Sequence, residues 1–172
     1  MPKAEEALRK LSEIDQDAAY RAVGACIRQT YEETLRQGGL PWHPNVESII
    51  SRLGAGEGLK EQDSVDLRLA ESLSPGEYTG RMQELCAAAY HLYAALRCLL
   101  DGQLPPGSCF DASAINEIAQ ANAICLHDAD YRQLSYADIY AGQEQCLRLI
   151  TSFFPDPSVL DESRLRNSPL TD

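Results

Sequence analysis

Apolar and small residues occupy almost every position of the segment Glu84–Leu100, ELCAAAYHLYAALRCLL. A helix that is apolar on nearly all faces packs inside a protein, because no face of it suits water. Its larger apolar residues recur at alternating spacings of three and four, which is typical of a seam between antiparallel helices: Met82, Leu85, Ala89, Leu92, Leu96 and Leu99. We predict a central buried helix over about residues 75–101, enclosed on all sides, which begins at the capping box Ser74–Glu77.

Two further helices are predicted before the central one. The first begins at Ser12 or Asp15 and ends at Gly38–Gly39. The second begins at His43–Pro44, since proline is favoured at the first helical position. Helical spacing predicts the inward residues of both: Ala19, Val23, Cys26, Ile27 and Thr30 in the first, and Val46, Ile49, Ile50 and Leu53 in the second.

Three more segments carry a helical pattern. The acidic segment Leu59–Leu73 is predicted to be a peripheral helix, with Val65, Leu69 and Leu73 facing inward. Asp111 is predicted to cap one helix, and Ser135 with Asp138 to start another that ends at Pro155. The inward residues of these last two helices are predicted to be Ile115, Ile118, Ala119, Asn122 and Leu126, and Ile139, Cys146, Leu149, Ile150 and Phe153.

These patterns together predict an all-α protein. With 172 residues, 44% of them hydrophobic, the chain is long enough for one domain with a sizeable core. We predict a single-domain bundle of six to eight helices over residues 1–163, followed by a loosely ordered tail over residues 164–172.

The charge of the chain restricts its partners. The chain has 26 acidic and 15 basic residues, a net charge of −11, so nucleic acid and anionic membranes would repel it while a cationic partner would be attracted. No apolar run is long enough to span a membrane, and the first residues lack the apolar core of a secretion signal. We therefore expect a cytoplasmic protein that binds neither nucleic acid nor membrane.

The six cysteines lie mostly on apolar helical stripes and form no CxxC pair: Cys26, Cys86, Cys98, Cys109, Cys125 and Cys146. We interpret them as small core residues in a reducing compartment rather than as metal ligands or disulfide partners.

Candidate catalytic or metal-binding chemistry centres on His91, with Glu84 on the same side of its helix. Glu117 and Asn122 are predicted to face it from the next helix. A carboxylate-bridged metal site in a helical bundle needs Glu-x-x-His pairs from several helices, and the sequence contains none at that spacing, so we interpret His91 as a core or interface histidine. His127, beside Asp128 and Asp130, is interpreted as a cation at a helix C-terminus. We predict no cofactor, no metal and no catalytic residue.

Aromatic and acidic residues give the best candidates for binding. Trp42 lies in the loop LPWHPN, and three tyrosines cluster in DADYRQLSYADIYAG, two of them on one helix face. Tyr and Trp are frequent anchors of protein interfaces. The predicted partner-binding residues are Trp42, Glu57, Glu61, Asp63, Asp66, Tyr131, Tyr136 and Tyr140, with the carboxylates exposed over Glu57–Glu77.

Three segments resemble a bacterial family of unknown function typified by the YjaG protein. They are LRKLSEIDQDAAYRAVGACIRQTYEETLRQGG, SLSPGEYTGRMQELCAAAYHLYAALRCLLDG and ASAINEIAQANAICLHD, about half of the chain. The resemblance implies a small, acidic, all-α cytoplasmic protein. It implies no established activity or cofactor and transfers no functional residue.

The leading hypothesis is a non-enzymatic acidic binding protein, most concretely a bacterial immunity protein that occludes a cognate basic toxin. The alternative is a small-molecule or metal-binding helical protein, which includes an enzyme, with a core site built from His91, Glu84, Asn122 and Glu117. A third hypothesis is a homo-oligomeric scaffold without a ligand.

Overall fold

Amphipathic segments of this chain pack into an all-helical bundle, as the apolar periodicity predicts. The structure is a computed structural model that describes residues 3–40, 44–70, 80–103 and 109–156, without the side chains of residues 69 and 70. Within these ranges the regular elements are seven helices and no strands. They are α1 (Lys3–Ile14), α2 (Gln16–Thr30), α3 (Pro44–Gly54), α4 (Asp63–Ala70), α5 (Arg81–Gln103), α6 (Ala114–Leu126) and α7 (Tyr136–Ser152).

Helix α1 is an element that the sequence analysis missed. It buries an apolar stripe at spacings of three and four, formed by Ala4, Ala7, Leu8 and Leu11. Asp15 then separates α1 from α2 and caps α2, because its side chain accepts a hydrogen bond from the Ala18 amide at 3.3 Å. The predicted start at Asp15 is therefore confirmed, and α2 continues through a π-helical turn, Tyr31–Leu35.

Helix α3 begins at Pro44 and buries the four residues predicted to face inward: Val46, Ile49, Ile50 and Leu53. Helix α4 differs from the prediction, since Val65 is 58% exposed and Leu67 only 1% exposed. The helix begins at Asp63, which is itself buried, so the inward face carries residues 63 and 67, and residue 65 lies on the opposite side. The prediction that Val65 faces inward is wrong.

Helix α5 supplies much of the core but is open on one side. Leu85, Ala89, Leu92, Leu96 and Leu99 are buried, as the three–four spacing predicts. Other residues of α5 reach solvent, with Tyr90 49% exposed, so the expectation of a helix enclosed on all sides is wrong. The reason is that α5 packs mainly on α6, α4 and the π-helical turn, and none of these covers the tyrosine face.

Helix α6 is the more enclosed element, with nine of its thirteen residues buried. It contacts α1, α2, α5 and α7. Leu126, predicted to face inward, is 37% exposed because α6 ends at that residue. The N-cap residue of α6 is Ser113 and not the predicted Asp111, whose carboxylate accepts hydrogen bonds from the Ser113 amide and hydroxyl at 3.0 and 2.6 Å.

Helix α7 begins at the predicted capping box, Ser135 with Asp138. Cys146 and Ile150 are buried, whereas Ile139, Leu149 and Phe153 are partly buried. None of the six cysteines, all of which lie in the described ranges, forms a disulfide, and Cys109 is the exposed one. No helix in the described ranges combines the length and apolar character needed to cross a bilayer. The predicted tail, residues 164–172, and the predicted capping box at Ser74 lie outside the described residues.

Candidate partner-binding surface

Half of the exposed large apolar side chains in the described ranges lie between the end of α6 and the first turns of α7. We use the name α6–α7 surface for Leu126, Asp128, Asp130, Tyr131, Tyr136 and Tyr140. Six large hydrophobic side chains are exposed in the part of the chain that the structure describes, and three of them belong to this surface: Leu126, Tyr136 and Tyr140. Exposed apolar residues that cluster are typical of interaction sites, and Tyr136 and Tyr140 share one face of α7 at a spacing of four residues.

The backbone beneath this surface is held by local hydrogen bonds. Asp128 adopts a left-handed conformation, with φ of 53°, immediately after α6. This allows the Ala129 amide to reach back to the Ala123 carbonyl at 3.0 Å, which closes the end of the helix. Asp130 then accepts a hydrogen bond from the Arg132 amide at 2.9 Å. The loop is therefore ordered before any partner binds, which lowers the entropic cost of binding.

A reciprocal capping box fixes the other side of the loop. The Asp138 amide donates to the Ser135 hydroxyl at 3.2 Å, and the Ser135 amide donates to the Asp138 carboxylate at 2.9 Å. The backbone hydrogen bond from Ser135, followed by the one from its side chain, holds the pKa of Asp138 below its ordinary value. Asp138 therefore keeps its negative charge at the N-terminus of α7, where the helix dipole favours it.

The three predicted tyrosines differ in exposure. Tyr136 is 82% exposed and Tyr140 is 49% exposed, so both present ring surface to solvent from the first turns of α7, Tyr136 much more than Tyr140. Tyr131 is half-buried against the core, and the Arg132 guanidinium lies 5.1 Å from its ring centre. Tyr131 thus anchors the loop, while Tyr136 and Tyr140 are the rings available to a partner.

The predicted acidic residues between α3 and α4 divide into two groups. Glu57 and Glu61 are exposed. Asp66 is partly exposed, and its carboxylate accepts a hydrogen bond from the side-chain amide of Asn45 at 2.8 Å. Asp63 is 2% exposed, so the expectation that it is a surface carboxylate is wrong. Trp42, the remaining predicted residue, lies outside the described residues.

Asp63 is a structural carboxylate. Its two oxygens accept hydrogen bonds from both terminal nitrogens of Arg52, at 2.6 and 3.1 Å, and one also accepts from the Lys60 amide at 2.8 Å. This bidentate pair joins α3 to the start of α4 and leaves the Asp63 carboxylate saturated.

The residues predicted around His91 do not form one site. His91 Nδ1 lies 2.8 Å from a Glu117 carboxylate oxygen, as a partly buried pair between α5 and α6. Glu84 instead pairs with Arg81 at 2.7 Å near the start of α5. Asn122 is buried on the side of α6 that faces α2 and α7. Thus only Glu117 of the predicted set contacts His91.

Asn122 belongs to a buried polar network that the sequence analysis did not predict. Its carbonyl accepts from the Thr30 hydroxyl at 2.7 Å, and its amide nitrogen donates to the Gly142 carbonyl at 3.0 Å. Gly142 is required because a Cβ there would lie 1.9 Å from the Ala119 carbonyl oxygen. The sequence signal was an asparagine on an apolar stripe and a glycine inside a helix.

The same network contains two buried thiols. Cys26 donates to the Cys146 carbonyl at 3.8 Å, and the Asn122 amide approaches the Cys146 sulfur at 3.5 Å. The hydrogen bond with the Cys146 thiol and complete burial raise the pKa of Cys26 well above its ordinary value. Cys26 therefore stays a neutral thiol, which is a poor nucleophile and a poor metal ligand.

Within the described ranges no three or more His, Cys, Asp or Glu side chains are grouped so as to hold a metal ion. Comparison of the chain with protein-family models, with curated proteins and with solved structures gives no match. The resemblance to the YjaG-like family stays a prediction.

Proposed function

We propose that this chain is a non-enzymatic binding protein for a basic protein partner, most concretely a cytoplasmic immunity protein that neutralises a cognate bacterial toxin by occluding it. The observation that carries the proposal is the α6–α7 surface, where exposed tyrosines stand beside carboxylates on an ordered loop.

The composition of this surface supports a basic partner. Asp128 and Asp130 are exposed beside Leu126, and Tyr136 projects from the next helix. Tyrosines at the centre of an interface supply most of the binding energy, and surrounding carboxylates speed association with a cationic cleft. The net charge of −11 adds a long-range attraction that favours the same partner.

A two-part experiment tests the proposal. The purified chain is used to capture partners from its native host, and any basic protein recovered is assayed alone and with an equimolar amount of the chain. The product of the neighbouring gene is expressed with and without the chain, and growth is measured. The proposal requires that one of these proteins binds and loses its toxic or enzymatic activity. Absence of a basic partner from the capture, together with a neighbouring gene product that the chain leaves unaffected, would overturn it.

The second candidate is a small-molecule or metal-binding protein with its site at His91. The observation that favours it is the His91–Glu117 pair, in which the ring is only partly buried and Tyr90 stacks edge-on at 5.7 Å. Metal analysis of the purified chain and thermal shifts of His91→Ala against the wild-type chain with a metal panel test this candidate. A stabilisation that disappears in the variant would support it over the protein-binding proposal.

A further inference from the structure

The C-terminal end of α6 is bonded by a side chain from another helix. Because α6 ends at Leu126, the carbonyls of its last turn have no amide of a further helical turn to accept from. The Ala123 carbonyl accepts from the Ala129 amide at 3.0 Å. The Cys125 carbonyl instead accepts from the Arg81 guanidinium at 3.1 Å, so the first residue of α5 reaches the end of α6, where the helix dipole favours a cation.

A second contact sets the orientation of the Arg81 guanidinium. Its other terminal nitrogen donates to the Glu84 carboxylate at 2.7 Å, one turn further along α5. The hydrogen bond with Glu84 raises the pKa of Arg81, and the negative charges of Glu84 and Asp128 add to this effect. The Arg81 cation therefore interacts with three parts of the chain at once: the start of α5, the end of α6 and the loop residue Asp128.

The backbone of Asp128 is in a conformation that its neighbours must maintain. Its φ of 53° lies in the left-handed region, which costs free energy for a residue with a Cβ and persists only where surrounding contacts hold it. The Arg81 guanidinium provides two such contacts, since it bonds the Cys125 carbonyl three residues earlier and attracts the Asp128 carboxylate.

The ion pair between Arg81 and Glu84 is ordinary by itself, and exposed pairs of this kind contribute little to stability. Arg36 pairs with Glu32 at 2.7 Å in a similar way, but within the described ranges the Arg36 guanidinium bonds to no other helix. The hydrogen bond to the Cys125 carbonyl is what distinguishes Arg81. Arg36 is therefore a natural control for it.

We propose that Arg81 is a positioning residue of the α6–α7 surface: by joining the start of α5 to the end of α6, it keeps Asp128 left-handed and so fixes where Leu126 and Asp130 meet a partner. The surface then depends on three helices rather than two. The inference rests on the proposed function in its last step, contact with a basic partner, whereas the effect of Arg81 on the loop belongs to the chain alone.

Hydrogen exchange of the Ala129 amide, followed by NMR on the full chain without a partner, tests the effect on the loop. Arg81→Gln should raise the exchange rate about tenfold, because the bond from this amide to α6 opens when Asp128 leaves the left-handed conformation. Arg36→Gln, which breaks a similar ion pair, should leave the rate unchanged. If Arg81→Gln also leaves it unchanged, Arg81 does not hold the loop and the proposal is wrong.

A glycine at position 128 separates positioning from a general effect on stability. Glycine adopts a positive φ without strain, so in the Asp128→Gly background Arg81→Gln should change the Ala129 exchange rate by less than about twofold. An equal effect of Arg81→Gln in both backgrounds would mean that Arg81 does not act through Asp128, and it would overturn the proposal.

Affinity for the basic partner tests the last step. Removing a cation from this surface would by charge alone strengthen the attraction of a basic partner. We expect the opposite, a loss of about tenfold in affinity for Arg81→Gln, because the loop must then be ordered on binding. Arg36→Gln should bind at least as well as the wild type. Unchanged or higher affinity for Arg81→Gln would contradict the positioning role. If the chain has no basic partner, the proposed function fails, and the exchange rates of Ala129 still decide whether Arg81 holds the loop.

Discussion

The acidic segment between α3 and α4 and the α6–α7 surface look alike in the sequence, but the structure uses their carboxylates in opposite ways. In the first, Asp63 turns inward and holds two helices together through Arg52. At the second, Asp130 and the neighbouring Asp138 accept hydrogen bonds from backbone amides of the same loop, and Tyr136 is exposed to solvent. The first segment uses charge to stabilise the fold, whereas the second uses local structure to present side chains.

This difference matters because negative charge alone does not identify an interface. A carboxylate with both oxygens occupied has nothing to offer a partner, whereas an exposed ring on a braced loop does. The α3–α4 segment retains exposed Glu57 and Glu61, which can attract a basic partner at long range. We therefore expect contact to centre on the α6–α7 surface and the α3–α4 carboxylates to affect mainly the association rate.

The largest expected effect is the loss of stability in Asp63→Ala. The variant leaves the partly buried Arg52 guanidinium and the Lys60 amide without their acceptor, so we expect a decrease of about 3 kcal/mol in the free energy of unfolding. Urea denaturation measures it. The control Glu61→Gln lies in the same acidic segment but is exposed and should change stability by less than about 0.5 kcal/mol. If the two variants prove equally stable, Asp63 does not have the structural role assigned to it.

The next effect is on binding. Tyr136→Ala should weaken the complex with the basic partner by about 2 kcal/mol, or about thirtyfold, because the ring is a candidate interface anchor. Since Tyr136 is 82% exposed, the unfolding free energy should hardly change. The matched control is Val65→Ala, because Val65 is an apolar residue on α4 that is 58% exposed. This variant should bind the partner with unchanged affinity. If Val65→Ala loses more affinity for the partner than Tyr136→Ala does, the interface lies on the α3–α4 side of the protein and not at the α6–α7 surface.

The third effect concerns the brace of the loop. Ser135→Ala removes the acceptor for the Asp138 amide, and loss of such a cap costs about 1 kcal/mol. Urea denaturation of this variant is compared with Gln133→Ala, an exposed loop residue that should lose much less. The same variant should also bind the partner more weakly, because a loop that is less ordered pays a larger entropic cost on binding. Unchanged stability would show that the capping box does not hold the loop.

Helix positions in this fold follow from the sequence where apolar spacing is regular. The inward residues of α3 and the seam of α5 were predicted correctly, because a three–four repeat admits one buried face. Helix α1 has the same spacing, with Ala4, Ala7, Leu8 and Leu11 buried, but the sequence analysis did not predict it.

The role of a polar residue was harder to predict, because it depends on contacts that are distant in the sequence. Asp63 is buried since Arg52, eleven residues away, reaches it across a turn. Asn122 turns toward Thr30 and Gly142 rather than toward His91, which the helical spacing alone could not decide. Tyr136, predicted as a partner-binding residue from the tyrosine cluster, is exposed, which agrees with its place in the first turn of α7 beside the capping serine.

The smallest expected effect is a pH dependence at the α6–α7 surface. Hydrogen bonds from Ser135 hold the pKa of Asp138 in the folded state below its ordinary value. The ionised carboxylate therefore stabilises the folded state fully above the pKa that Asp138 has in the unfolded chain. This stabilisation is lost as the pH falls through the lower pKa of the folded state. Asp138→Asn lacks this titration. The urea midpoint of the wild type should therefore exceed that of Asp138→Asn at pH 7, and the difference should narrow as the pH falls below about 4, the ordinary pKa of an aspartate. Tyr136→Phe is the control, and its difference in urea midpoint from the wild type should stay constant over that range. If the difference for Asp138→Asn also stays constant, the charge of the capping carboxylate contributes nothing to stability.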